Sequence, residues 1–154
     1  MNSITPGLLD RLLGSCGGQG YTLEQYKDSV AHDLEDLLNT RCALPPALFD
    51  DYPECARSII NYGLADFAGM SMGSADDRAH VCAALKAAIE RHEPRLRNVE
   101  ARITREPGAI NRISFAITAT LAGLPQREAV SFDAVLQPSS LQYSIKRGAR
   151  GVRP

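Results

Sequence analysis

The sequence contains no tryptophan, and aromatic residues make up only 6% of it. Sugar-binding clefts are commonly lined by aromatic faces, so this scarcity weighs against a glycan-cleaving role. Neither sign of charge dominates: 17 Lys and Arg stand against 18 Asp and Glu, for a formal net charge of -1. A protein built mainly to grip nucleic acid carries a clear basic excess, so no nucleic-acid partner is expected. No C-x-x-C pair occurs among the four cysteines, Cys16, Cys42, Cys55 and Cys82, and their spacings fit no zinc pattern. Reduced thiols in a cytosolic protein are the expectation. No two of His32, His80 and His92 stand four residues apart, which removes the two-histidine zinc helix. No run approaches the ~20 apolar residues of a membrane helix, so direct membrane insertion is not expected. The first eighteen residues lack the long apolar core of a secretory signal, and a cytoplasmic location follows as an expectation.

What is there is an ordinary globular composition, 44% hydrophobic and 23% charged over 154 residues. That suits one domain with a real core. Residues 1–20 read as an arm, with a leucine cluster at Leu8, Leu9, Leu12 and Leu13 followed by the glycine-rich linker GSCGGQG. Such an arm can dock on a partner or pack on its own domain. Residues 21–147 form the domain proper, and residues 148–154 a basic, glycine-containing tail.

Within the domain, Thr22 and Gln25 form a T-x-x-Q capping box. Leu23, Tyr26, Val30, Leu34, Leu37 and Leu38 then recur at helical spacing, which predicts a helix ending near Asn39, ahead of Pro45-Pro46. DDYPECARSIINYG reads as a second, shorter helix, with Pro53 in its first turn and Gly63 just past its end. Ser74 caps a third, with Asp76 and Asp77 where the helix dipole favours acids. Val81, Leu85, Ala88, Ile89 and His92 mark its buried side.

After Pro94 the period becomes two. Val99, Ala101 and Ile103 alternate with charged or polar neighbours, then Ile113 to Leu121, then Val130 to Leu136, then Leu141, Tyr143 and Ile145. EPGA, GLPQRE and QPSS supply the turns. Helices followed by an antiparallel β-meander make the fold class α+β.

Few motifs carry chemistry. GMSMG, residues 69–73, matches G-x-S-x-G around Ser71, but a nucleophile elbow needs a strand before the serine and a parallel sheet beneath it. A loop leading to the Ser74 cap is the better reading. His92 lies on an apolar face and reads as a structural histidine. Glycoside hydrolysis needs two carboxylates about 5–10 Å apart across a cleft. Glu93 with Glu54, Glu90 or Asp66 could be proposed, but nothing in the sequence selects a pair. No catalytic residue, cofactor or metal is expected.

RHEPRLRNVEARI remains, residues 91–103. The residue before a proline is pushed out of the helix, so Glu93 leaves it, and Pro94 stiffens the corner. Glu93 and Arg95 are then expected to project from a rigid bend, ready for a forked charge contact. From the motif alone, an internal salt bridge tidying a helix end is preferred.

DSVAHDLEDLLNTR, YPECARSIINYGLADFAGMS, AIERHEPRLRNVEARI and AVSFDAVLQPSSLQYSIKR occur in that order. Together they resemble the TssE family, baseplate subunits of bacterial type VI secretion systems, related to a tailed-phage baseplate wedge protein once labelled a lysozyme. NYGL, EPRL and VSFD are the most specific fragments, and the likeness covers about residues 21–147. The resemblance implies a non-enzymatic protein in the cytoplasm, at the baseplate on the inner membrane. It implies TssF, TssG and TssK as baseplate partners, a VgrG hub, and the sheath subunits TssB and TssC. It also implies a fold like the handshake region of the sheath, with residues 110–121 and 130–136 building the sheath-like sheet. Glu93, Pro94 and Arg95 become partner-binding residues, which reverses the preference stated above. The rival readings are a peptidoglycan-cleaving, lysozyme-like hydrolase and a small regulatory protein-binding module. The sequence departs from the family pattern at His92, where an aromatic is usual, at Ala65, where proline is usual, and at Cys42, often basic.

Overall fold

The computed structural model describes residues 4–14, 20–67, 70–71, 73–104, 113–137 and 139–148. Four α-helices, α1 (Leu8–Leu12), α2 (Leu23–Asn39), α3 (Pro53–Ala56) and α4 (Ala75–His92), precede four strands. The strands are β1 (Leu96–Thr104), β2 (Ile113–Leu121), β3 (Glu128–Gln137) and β4 (Gln142–Arg147). They form one antiparallel sheet in the order β1-β2-β3-β4, the meander that the alternation predicts. The layout is α+β. The GSCGGQG linker, the EPGA turn and most of the tail lie largely or wholly outside the described residues.

Helix α2 begins at the predicted capping box: Gln25 N–H donates to Thr22 Oγ1, and Thr22 N–H to Gln25 Oε1. Its buried stripe is Tyr26, Val30, Leu34, Leu37 and Leu38. It packs against β4, while α4 packs against β1 through Val81, Leu85, Ala88 and Ile89. Both helices cover one face of the sheet, where Phe115, Ile117, Phe132, Ala134 and Tyr143 complete the core. Leu34, Leu38 and Leu85 are fully buried, each contributing roughly 1.5–3 kcal/mol.

Ion pairs fasten α2 at its start. Lys27 Nζ lies 2.7 Å from Glu128 at the head of β3. Arg147 on β4 pairs with Glu24 and, at 3.2 Å, with Asp28. At its end, Arg41 donates to the carbonyls of Leu38 and Leu141.

Three expectations need correction. The second helix is not continuous: α3 stops at Ala56, and a 3-10 turn follows over Ile59–Asn61. Ser58 causes the break, donating its hydroxyl to Cys55 O and accepting the Ile60 N–H, a local alternative to helical bonding. Leu141 does not join the inward row of β4; it is 53% exposed, with a positive φ of 54°, in the turn before the strand. Strand β1 starts at Leu96, out of phase with Val99. Asn98, at φ 53°, is the extra residue of a bulge, and it turns both Leu96 and Val99 inward.

The arm makes a backbone bridge between Ile4 and Tyr21, and Ser29 Oγ donates to Asp10 at 3.3 Å. Its four leucines nevertheless remain 65–78% exposed. The arm is tethered to the domain, and its apolar side stays open.

Candidate functional site

The corner between α4 and β1 is built by the sequence Glu93-Pro94-Arg95. Glu93 is the residue after the last helical turn, and its backbone (φ -119°, ψ 80°) has left helical geometry, as a following proline requires. Its N–H still donates to Ile89 O at 2.8 Å. Its carbonyl accepts Leu96 N–H at 3.0 Å, closing a four-residue turn with Pro94 in the second position. Arg95 O then accepts Ala122 N–H and starts the β1–β2 pairing.

This turn folds the Glu93 carboxylate back over its own loop. Oε1 accepts from Arg95 N–H at 3.2 Å and from Arg95 Nε at 2.7 Å, and Oε2 accepts from Arg95 Nη2 at 2.5 Å. The guanidinium therefore grips both oxygens in the forked geometry that suits arginine. It also donates to Asp33 and to Ser29 Oγ on α2, and lies 5.9 Å from the Tyr26 ring centre. Burial works to lower the Arg95 pKa, but the hydrogen bonds and charges of Glu93 and Asp33 outweigh it and raise the pKa further. The same surroundings raise Tyr26, mainly through burial.

The expected projection of both charges is corrected here. Glu93 is only 5% exposed, because a carboxylate turned inward at this corner finds its cation two residues along. The internal salt bridge preferred from the motif alone is present. Pro94 and Asp33 face solvent in whole or part, and Arg95 in part. Asp33, Ser29 and Tyr26 join the site with no signal in the sequence, since each sits on a helix whose pattern speaks only of α2's own core.

His92 lies beside the corner. Its Nε2 is 2.9 Å from the Asn61 carbonyl, so the ring proton sits on that nitrogen, and its ring meets Tyr62 edge-on at 5.3 Å. Its ring packs edge-on as an aromatic side chain would. Burial lowers its pKa, partly opposed by the Asn61 hydrogen bond and aided by Arg91.

The other candidates do not assemble. Ser71 is exposed in the loop before α4, its N–H donating to Asp77, with no strand leading into it among the described residues. Glu54, Glu90 and Asp66 are exposed, whereas Glu93 is buried and engaged with Arg95. Cys82 is half-buried and packs on the core, and burial pushes its thiol pKa up. Among the described residues no group of three or more His, Cys, Asp or Glu could hold a metal, and no helix is long and apolar enough to cross a membrane.

A family model described as baseplate wedge protein gp25 matches residues 24–126, from the first turn of α2 through the Glu93 corner to the turn after β2. No curated protein matches the chain.

Proposed function

Since the chain belongs to the family of baseplate wedge protein gp25, we propose that it is the type VI secretion form of that protein, a TssE-type subunit. In this reading it joins a baseplate wedge with TssF, TssG and TssK around a VgrG hub. It sits in the cytoplasm at the inner membrane and starts polymerisation of the TssB–TssC sheath. The family is one of structural baseplate proteins, which fits a role without catalysis.

The observation that carries the finer reading is the Glu93-Pro94-Arg95 corner inside the matched span. It is rigid, because the turn, the forked pair and Asp33 hold it on three sides. A corner ordered in advance loses little freedom on binding. The internal pairing sets how a partner is met: Pro94 and the outer atoms of Arg95 and Asp33 meet it, while Glu93 holds Arg95 in position. A charge pattern of this kind gives register and specificity more than affinity.

The test is live imaging of fluorescent sheath in the native host. A folded Glu93→Ala, Arg95→Ala double variant is compared with wild type and with Pro94→Ala, which leaves the ion pair in place. Loss of sheaths in the double variant, with the protein folded and expressed, supports the corner as an assembly handle. Normal sheaths in both variants would limit the corner to stabilising the fold.

A further inference from the structure

Exposed apolar side chains are gathered in two places on this protein. Of the ten large hydrophobic side chains exposed among the described residues, four are the arm's Leu8, Leu9, Leu12 and Leu13. Five more are Leu44, Leu48, Tyr52, Ile59 and Ile60. Single exposed hydrophobics are ordinary, but gathered ones mark contact surfaces.

The second set lies on one excursion of the chain. Its neck closes where α2 ends: Leu64 N–H donates to Thr40 O, and Cys42 N–H to Leu64 O. Asn61 clamps it from within, its Oδ1 accepting from the Cys42 thiol at 3.3 Å and its Nδ2 donating to Ala56 O at 2.9 Å. The turn over Pro46–Phe49, α3 and the turn over Ile59–Asn61 pack mainly on one another. No residue from 43 to 62 is buried. The excursion has a held base and no core of its own, so its apolar side chains stay in water. It is acidic as well: Asp50, Asp51 and Glu54 are exposed beside a single base, Arg57.

The arm is its complement. The four leucines fall at i, i+1, i+4 and i+5, one stripe along a helical turn. Asp10 is held to its own domain by Ser29, which leaves Arg11 as the arm's outward charge. The arm does not reach its own excursion. It is anchored at Ser29 and by the Ile4–Tyr21 bridge, the excursion leaves after Asn39, and roughly 15 Å of α2 separates the two.

Pairing of like with like is disfavoured. Excursion against excursion would bring two sets of Asp50, Asp51 and Glu54 together, and arm against arm would set Arg11 against Arg11. The β4 edge offers no rival contact, because α2 closes its outward backbone groups. Asn39 Nδ2 donates to Tyr143 O at 2.9 Å, Tyr143 N–H donates to Asn39 Oδ1 at 2.7 Å, and Ile145 N–H donates to Glu35 Oε2 at 2.7 Å. With a net charge of -1, two copies repel little at a distance. We propose that the leucine face of the arm in one copy seats on the acidic, apolar excursion of a second copy. The two surfaces differ, so the contact runs head to tail and repeats from copy to copy, closing a ring where the rotation permits. It goes beyond the baseplate reading and is tested on the purified chain, so a failure of the sheath experiment leaves it standing.

Light scattering follows the mass of the full chain up to about 1 mM, the range that detects a weak contact. The average mass of wild type should rise with concentration. An arm variant, Leu9→Asp with Leu12→Asp, and an excursion variant, Leu48→Asp with Ile59→Asp, change only exposed side chains. Each should stay monomeric with an unchanged circular dichroism spectrum. Mixed in equal amounts they should form dimers and nothing larger, since one supplies an intact excursion and the other an intact arm. Arg11→Glu, a milder change, should weaken association about tenfold.

A wild type that stays monomeric throughout the series overturns the proposal and leaves both surfaces to other proteins. Loss of growth in only one of the two variants overturns it in favour of like-with-like pairing. A mixture that stays monomeric overturns the head-to-tail contact.

Discussion

Gly63 stands against the carbonyl of Thr40 so closely that an added Cβ would lie 2.4 Å from its oxygen and 2.8 Å from its carbon. The contact joins the end of α2 to the segment before α4, where Leu64 N–H donates to Thr40 O and Cys42 N–H to Leu64 O. Gly63 also has φ 116°, which side chains rarely adopt. Gly63→Ala should therefore cost roughly 2–4 kcal/mol, since the obstacle is backbone and cannot swing aside. Urea unfolding measures it, and a loss below about 1 kcal/mol would mean that the two segments separate easily.

The Glu93–Arg95 pair predicts an asymmetry. Arg95→Ala strands a buried carboxylate and should cost about 3 kcal/mol. Asp33→Ala removes a half-exposed partner and should cost about 0.5 kcal/mol. The double change Glu93→Gln, Arg95→Met should recover much of the first loss, because no buried charge remains. Denaturant midpoints of the three proteins decide the matter, and equal losses for Arg95→Ala and Asp33→Ala would contradict the burial argument.

Closure of the β4 edge should be measurable as well. Asn39→Ala leaves both outward groups of Tyr143 without their partner, at a cost of about 1–2 kcal/mol. It should also raise self-association, because an uncovered edge templates pairing. Sedimentation velocity across a concentration series reads the second effect, and a strictly monomeric variant would show that Asn39 does not guard the edge.

His92 makes stability depend on pH. Burial lowers its folded pKa below the ordinary 6.5, so the unfolded chain binds the proton first as pH falls. Stability held by the neutral ring is therefore complete above pH 6.5 and is lost as pH drops through that value toward the lower folded pKa. His92→Phe keeps the edge contact with Tyr62 and cannot titrate. Its melting temperature should fall less than that of wild type between pH 7 and pH 5. Parallel curves for the two proteins would remove His92 as the source.

The bulge offers a local check. Asn98→Val must hold a β-branched residue at φ 53°, which should cost roughly 1–2 kcal/mol, while Asn98→Gly should be nearly neutral. Thermal melts of the two variants test this directly.

Periodicity and caps carried much of the architecture. The Thr22–Gln25 box, the α2 stripe, the Ser74 cap and the alternating strands are all local patterns, and local patterns are written in neighbouring residues. Glu93-Pro94-Arg95 could be singled out for the same reason, since the proline rule acts on adjacent positions. The Ser58 break was missed because the short hydroxyl bonds that cause it compete closely with the helix. The bulge was missed because Asn98 shifts phase without interrupting polarity.

What only tertiary structure decided is where the charges point and which edge is closed. The inward turn of Glu93, the grip of Asp33 on Arg95 and the sealing of β4 by Asn39 depend on residues 62 to 104 positions apart brought together by packing, apart from the local Glu93–Arg95 pair. A sequence determines which residues prefer helix or strand through short-range sterics and hydrogen bonds. Which polar groups meet across the fold is settled only when the core is buried, because the energy of leaving them unpaired arises there and nowhere in the extended chain.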